Sequence, residues 1–410
     1  MKFHFKNERK MKKSNLLVLS QYFPPDVSGG ATRAFNYSKC LEQQGYNVTV
    51  VTAHPHQHGP VTGKYRHKFI LKEKMDGLEI IRVWIPSLLH SSVFNSAILN
   101  LSFLASSTFP IFSIKPDIIF AFEPNLFSII PAFFYSKLRG GKVIRAIDDL
   151  WPESLYERGI FCSSLLKFFL NRLAKFSYVF PEYIIPLNDA VKDVVRTSYG
   201  INNNKFEVLS HGINTEIFTY SKKTRNDTFT LMYFGSLIET YDFDLLINAA
   251  KQLKGKNIQF IIRGRGKLLS YIKDQKEKYK LDNFLIETDF VPNEKISKIL
   301  HTSDVLLAPM RKGKLVNYSL PTKILEYQAV GRPIICCSDG AIGEYIEKTN
   351  SGLRTNSSDL DSFIHSVLKL ELDQNLCEQL GQNGRKIIEE ENTFEKIGAR
   401  LSYIINKLMN

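Results

Sequence analysis

Apolar positions along the chain fall into short runs separated by longer amphipathic stretches. Residues 15–20 (NLLVLS) form the first run, short enough for a strand buried on both faces. The turn QYFPPDVSGGATR follows, then a helical pattern over 31–44 that Gly45 ends. NVTVVT and LEIIRVW predict two more strands, the second reached through a basic loop. DIIFAF (117–122), KVIRAI (142–147), YIIPL (183–187) and residues 206–209 continue the series, with helical stretches between them. Repeated strand–helix alternation predicts a parallel sheet covered on both faces.

The pattern restarts after SHGINTEIF. TFTLMYFG, NIQFIIRGRG, NFLIETDF and DVLLAP read as strands, with a helix over 242–253. A helix over 322–330 and the strand RPIICCS complete this second series. From 358 onward the chain is helical, and Phe394, Ile397, Leu401, Ile404, Ile405 and Leu408 recur every three or four residues. The polar, turn-rich stretch 210–227 marks a boundary. The expected organisation is a basic tail (1–14), a first Rossmann-like domain (15–212) and a second (213–390). A C-terminal helix (391–410) is expected to cross back to the first domain. Open parallel sheets bind ligands beyond the carboxyl ends of their strands, here expected in a cleft between the domains.

Charge narrows the class of partner. The formal net charge is +13, and the first fifteen residues hold six cations against Glu8. Such an excess favours an anionic partner: a phosphorylated substrate, an acidic membrane surface or nucleic acid. Nucleic acid fits poorly, because the aromatic residues lie inside apolar strands and helices rather than between exposed cations. Met11 offers a second possible start. The N-terminus has no apolar segment of a secretory signal. Five cysteines without framework spacing read as reduced thiols of a cytosolic protein. Residues 91–114 carry no charge, but Ser, Thr and Asn are frequent and Pro110 interrupts them. A buried or membrane-surface helix suits this stretch better than a span.

Candidate chemistry sits in the loops that follow strands. In PPDVSGGATR, Gly29 and Gly30 permit close backbone approach ahead of a helix N-terminus, as in a tight turn or an anion site. Neither the dinucleotide fingerprint G-x-G-x-x-G nor a phosphate loop occurs at the expected place. IIRGRGK sets Arg263, Arg265 and Lys267 around two glycines, a pyrophosphate site or a solvated basic turn. In SLPTKILEYQAVGRPIICCS, Ser319 or Thr322 can cap a helix whose first turn suits Pro321. Lys323 adds a full charge to the positive helix end, and Glu326 follows one turn later on the same face. Phosphate at the end and ribose hydroxyls at the carboxylate would fit this pair. An ordinary Lys–Glu surface pair is the alternative, worth only about 0.2–0.5 kcal/mol. HPHQH (54–58) is broken by Pro55 and lacks carboxylates at ligand spacing, so no metal is expected. Asp242-x-Asp244 and Asp359-x-Asp361 read as helix caps.

VLSQYFPPDVSGGATR, KPDIIFAFEPNLF, DDLWPES, VLSHGINTEIF, MYFGSLIETYDFDLLINAA, SDVLLAPM and SLPTKILEYQAVGRPII together resemble retaining GT-B glycosyltransferases of family four. The likeness runs from about 15 to 405 and points to the branch that builds O-antigen, capsule and other surface polysaccharide. It implies two doubly wound α/β domains, a nucleotide-diphosphate sugar as substrate, no cofactor and no metal. By the same resemblance, Glu326 binds the donor ribose, while Pro321, Thr322 and Lys323 adjoin the diphosphate. Gly235 and Ser236 line the donor site, Gly29 and Gly30 lie beside donor phosphate and acceptor, and Asp149 lies near the reacting sugar. Three positions depart from the family pattern. Tyr318 stands where the first Glu of a Glu-x7-Glu pair belongs, and Ser236 and Tyr241 replace two diphosphate cations. Arg263, Arg265 or Lys323 could compensate, or the donor could differ.

The function implied is metal-independent, retaining transfer of a hexosyl group to a lipid-linked or glycan acceptor. The implied location is the cytoplasm, peripherally at an anionic membrane face. A non-catalytic sugar-nucleotide or glycan-binding homologue and a GT-B sugar-nucleotide epimerase are the alternatives.

Overall fold

The computed structural model describes residues 14–26, 28–56, 61, 63–88, 93–123, 126–157, 163–222, 227–313 and 316–409. The basic tail, His58 and Cys162 lie outside them. Two compact units result. The first takes in the chain up to Leu187, Lys192–Leu209 and everything from Ile397 onward; the second comprises Asn188–Val191 and Ser210–Lys396.

In the first unit the strands are β1 (Asn15–Leu19), β2 (Asn47–Ala53), β3 (Ile70–Met75), β4 (Leu78–Val83), β5 (Ile118–Phe122), β6 (Lys142–Ile147) and β7 (Tyr183–Pro186). They form one sheet in the order β3-β4-β2-β1-β5-β6-β7. The apolar runs fill its centre: β1 pairs in parallel with β2 and β5, Leu16 opposite both Val48 and Ile118. The basic loop expected before LEIIRVW is instead β3, antiparallel to β4. Its lysines and glutamate gave it a polar look, because an edge strand is only half buried. Asp76-Gly77, both at positive φ, make the tight turn of that hairpin. The strand expected over 206–209 reduces to a single bridge, Phe206 to Ile184.

Six helices follow these strands: α1 (Gly29–Gln43), α2 (Val93–Ile114), α3 (Ile129–Arg139), α4 (Glu153–Glu157), α5 (Ser164–Val179) and α6 (Asp189–Tyr199). α1 starts two residues before the position the pattern predicted, so Gly29 and Gly30 occupy its first turn. Ser28 caps it by accepting from the Ala31 amide at 3.2 Å. α2 continues through Pro110. Among the described residues it is the one helix long and apolar enough to cross a membrane, with a third of its most apolar stretch buried. Leu99, Phe103 and Ile111 of α2 join α3 and the strands in a single core cluster, against which Leu173 and Phe176 of α5 also pack. Thus α2, α3 and α5 cover one face of this sheet.

The second unit holds β8 (Phe229–Phe234), β9 (Ile258–Arg263), β10 (Phe284–Glu287), β11 (Val305–Pro309), β12 (Ile334–Cys337) and β13 (Gly352–Thr355). Their order is β10-β9-β8-β11-β12-β13, and every pairing is parallel. The chain therefore switches direction across the sheet between β8 and β11. α7 (Phe243–Gln252), α8 (Leu269–Lys278), α9 (Asn293–Leu300), α10 (Thr322–Ala329), α11 (Ala341–Thr349), α12 (Leu360–Leu372) and α13 (Gln374–Ile387) flank it. Asp242 caps α7 through the Leu245 amide, and Asp359 caps α12 through the Ser362 amide, as their positions predict. The last helix, α14 (Phe394–Met409), buries Ile397, Leu401, Ile404 and Ile405. Gly398 lets it approach α1 closely, since a Cβ there would stand 2.9 Å from the Cys40 carbonyl.

Candidate functional site

A parallel sheet of this order offers ligands the crevice beyond the carboxyl ends of its strands, at the switch point. In the second unit that place is built by the loops after β8 and β9 and by α10. The loops after β8 and β9 are zipped together: the Gly235 amide donates to the Arg263 carbonyl at 3.0 Å, and the Leu237 amide to Arg265 at 2.9 Å. Only glycine permits this approach. A Cβ on Gly264 would overlap the Gly235 carbonyl, and one on Gly266 the Leu237 carbonyl.

α10 lies against the end of β8. Its Tyr327 hydroxyl accepts from the Phe234 amide and donates to the Phe234 carbonyl, each at 3.0 Å. This fixes the helix so that Lys323 reaches the β8 loop. The Lys323 ammonium donates to the Tyr233 hydroxyl at 3.0 Å and lies 4.3 Å and 4.0 Å from the ring centres of Tyr233 and Tyr241. The Tyr233 hydroxyl in turn donates to the Ser236 carbonyl at 2.6 Å. A Cβ on Gly235 would overlap the Lys323 ammonium, so Gly235 and Lys323 occupy one small space.

Lys323 and Glu326 each keep part of their surface exposed, yet their charged ends are densely surrounded. Burial pushes Lys323 down to about 7, against the pull of Glu326. Burial pushes Glu326 up to about 7, against the pull of Lys323. The pair is therefore poised near neutrality, and an incoming anion would favour the charged ammonium.

Two expectations about this site are corrected. Neither Ser319 nor Thr322 caps α10: the cap position is Pro321, with no side-chain bond, because the chain enters the helix two residues later than Ser319 would require and Thr322 is already the first helical residue. The Thr322 hydroxyl is buried with no hydrogen-bond partner. Nor do Arg263 and Arg265 both stand free as cations. Arg263 is ion-paired with Glu287 of the adjacent strand β10, which offsets its charge, and Arg265 donates to the Thr288 carbonyl at 2.6 Å. Arg265 stays exposed. Lys323, Glu326, Gly235 and Thr322 are thus brought together; Arg263 is diverted. Tyr318 ends a short turn just before α10 and is partly buried.

In the first unit the carboxyl ends of β1, β5 and β6 carry the remaining candidates. Gly29 faces open space, with no atom within 4 Å of where a Cβ would stand. Asp149 is exposed in the loop after β6. Its neighbour Asp148 is ion-paired with Arg33, a side chain fully buried in α1. Arg33 also donates to the carbonyls of Ile147 (2.9 Å), Ile185 (3.2 Å) and Leu209 (2.7 Å), tying the ends of β6 and β7 to the segment that ends at Leu209. At the end of β5, Glu123 accepts from Arg145 at 3.2 Å and from the Tyr178 hydroxyl at 3.1 Å. Burial pushes Glu123 up to about 8, against Arg145 and Tyr178. Arg33, Glu123 and Tyr233 are not singled out by the sequence, and Tyr241 stands out there only as a missing cation. Arg33 had a signal, a cation on the buried stripe of α1 four residues before Tyr37.

Among the described residues no three His, Cys, Asp or Glu side chains converge as metal ligands. His54 contacts the Lys68 carbonyl at 2.8 Å, and His56 contacts the His54 carbonyl at 2.8 Å and Gln21 at 3.3 Å.

Residues 27–217 match the family model described as Glycosyltransferase Family 4, and residues 215–387 the one described as Glycosyl transferases group 1. The chain belongs to the GT-B glycosyltransferases of this family. An uncharacterized glycosyltransferase of Methanocaldococcus jannaschii is 21% identical over 98% of the chain and 100% of its own length. The capsular polysaccharide biosynthesis glycosyltransferase CapM of Staphylococcus aureus is 24% identical over 59% of the chain and 66% of its own. The fold is shared with sucrose-phosphate synthase from Thermosynechococcus elongatus (TM-score 0.78, 13% identity, 97% and 99% of the two chains). It is also shared with Anabaena HepE, solved with UDP and glucose (TM-score 0.69, 14% identity, 96% and 99%).

Proposed function

We propose that the protein is a metal-independent, retaining hexosyltransferase that uses a nucleotide-diphosphate sugar to extend a lipid-linked glycan in surface polysaccharide synthesis. One observation carries the reading. At the switch point of the second sheet, a helix presents an ammonium, an unpartnered hydroxyl and a carboxylate, Lys323, Thr322 and Glu326, beside the Gly235–Ser236 turn. Phosphoryl oxygens suit the first two groups and the helix amides; vicinal ribose hydroxyls suit the carboxylate. In the reaction, the bond between the anomeric carbon and the phosphate oxygen breaks while the acceptor oxygen bonds to that carbon from the same side. The acceptor proton passes to the departing phosphate oxygen. Negative charge grows on the diphosphate, and each fixed donor aimed at it contributes about 3 kcal/mol. The family resemblance assigns Asp149 to orienting the acceptor hydroxyl or supporting the sugar cation.

The relatives' naming and the likeness of HepE, which was solved with UDP, support a sugar nucleotide as ligand. The acceptor class and a cytoplasmic, membrane-peripheral location rest on the family resemblance and on the uncharged helix α2. The test is a thermal-shift screen of nucleotide sugars, followed by product analysis with a polyprenyl-linked sugar. Stabilisation by a nucleotide sugar and an α-linked product from an α-linked donor are expected; inverted stereochemistry would reject retention.

A second reading keeps one specific support. Ser236 and Tyr241 stand where cations are expected, and Arg263 is neutralised by Glu287. A protein that binds the sugar nucleotide without transfer would show the same stabilisation and no product with any acceptor.

A further inference from the structure

We propose that the amino-terminal half of α5, with the neighbouring outer side of α3, docks the first unit onto an anionic lipid bilayer. The inference deepens the lipid-linked reading above, and rests on it, by naming the surface and the lipid charge.

The carboxyl-terminal turns of α5 are anchored. Ala174, Ser177 and Tyr178 are buried, and Phe133 of α3 makes edge contacts with Phe176 and Phe180 at 5.1 and 5.0 Å. Every residue from Ser163 to Phe169, by contrast, is exposed. Within that projecting segment Leu165, Leu166, Phe168 and Phe169 are 67%, 47%, 55% and 59% exposed. At about 100° per residue they make one stripe roughly 160° wide. On α3, which packs against the other end of α5, Phe134 and Leu138 are also exposed, at 51% and 69%. Isolated exposed apolar residues need no explanation, but four of them on one projecting helical half-turn stripe do.

Charge selects the occupant. The three helices on this face, α2, α3 and α5, carry Lys137, Arg139, Lys167, Arg172 and Lys175 and no Asp or Glu. The chain as a whole has 41 acidic residues among 410, so these three helices are cationic by contrast; the exposed acid Glu157 lies at their border, on α4, whose Tyr156 ring sits under Lys167. Arg172 lies over the Phe168 ring at 5.5 Å, its charged end beside the aromatic stripe. Apolar side chains bordered by cations suit the headgroup boundary of a bilayer, where rings enter the acyl edge and the cations meet phosphates. A second copy of the same face would bring like charges together.

The full chain would be floated with pure phosphatidylcholine vesicles and with vesicles rich in phosphatidylglycerol, at low and high salt. Binding to the anionic vesicles that weakens with salt is expected. F168S/F169S should reduce that binding at least about tenfold, and K167E/R172E/K175E should remove the preference for anionic lipid. Both variants should keep the wild-type thermal stabilisation by UDP, which reports an intact second unit. Equal binding to both vesicle types would overturn the proposal. So would unchanged binding by both variants, or a dimer dissolved by F168S/F169S from a protein that ignores vesicles. Vesicle binding without any response to UDP would sink the transferase reading alone and leave the docking surface standing.

Discussion

The ammonium of Lys323 lies 4.0 Å from the centre of the Tyr241 ring, although 82 positions separate the two residues along the chain. Tyr241 occupies a position where the family pattern leads one to expect a cation. The ring instead seats the cation that α10 supplies, with Tyr233 closing the other side. One lysine therefore carries the charge that several groups share elsewhere in the pattern, and its environment governs how the site responds to pH.

Replacing Glu326 should lower affinity for a nucleoside diphosphate. A carboxylate accepting hydrogen bonds from ribose hydroxyls contributes about 1.5–3 kcal/mol, so E326A should weaken binding by about tenfold or more. Isothermal calorimetry with UDP and with its sugar conjugates checks this; unchanged affinity would remove Glu326 from the site.

Donor binding should take up a proton above neutral pH. Lys323 is held down near 7 by burial, so between pH 7 and 9 the empty site is largely uncharged there. A bound diphosphate favours the ammonium, the complex holds more protons than the free protein, and affinity must fall as pH rises. Calorimetry in buffers of different ionisation enthalpy reads the uptake directly. K323M should abolish both the uptake and the slope; a wild-type affinity flat from pH 7 to 9 would contradict the assignment.

The same pair has a signature in stability. Glu326, raised by burial, lets the folded state bind the extra proton between its unfolded value and about 7, so stability falls with rising pH there. Lys323, lowered by burial, makes the unfolded state the better proton binder above about 7, so stability recovers toward pH 10. E326Q should flatten the first limb and K323M the second in urea titrations run across pH.

Gly235 and Gly264 should separate binding from folding. G264A drives a methyl into the Gly235 carbonyl and should destabilise by about 1–3 kcal/mol in urea unfolding. G235A strains a backbone at φ +146° as well, but its methyl meets the movable end of Lys323 rather than backbone, so it should displace the ammonium and cost UDP affinity beyond its loss of stability. Equal effects in both assays would show that the two glycines act alike.

Removing Arg33 should unfold the first unit preferentially. Its buried guanidinium pairs with Asp148 and bonds three backbone carbonyls, so R33M removes the donor that Asp148 and those oxygens share. A loss of about 3–5 kcal/mol is expected. Hydrogen exchange should quicken in β6 and β7 and stay unchanged in β8 to β11.

Local pattern alone determined much of this protein. The apolar runs of β1, β5, β8 and β11 are buried whatever surrounds them, and the 3.6-residue recurrence through α14 survives as its buried stripe. Asp242 and Asp359 capped their helices because capping needs only residues three apart. The short edge strand β3 was misread, since half-exposed positions tolerate Lys and Glu and blur the alternation. The site was legible as a helix start bearing Thr322, Lys323 and Glu326. What that lysine touches, and which arginine Glu287 removes, were decided by packing between segments far apart in the chain. Contacts such as Lys323 with Tyr241, or Arg33 with Leu209, leave no periodic trace, because their energy arises only when the sheet brings strand ends together.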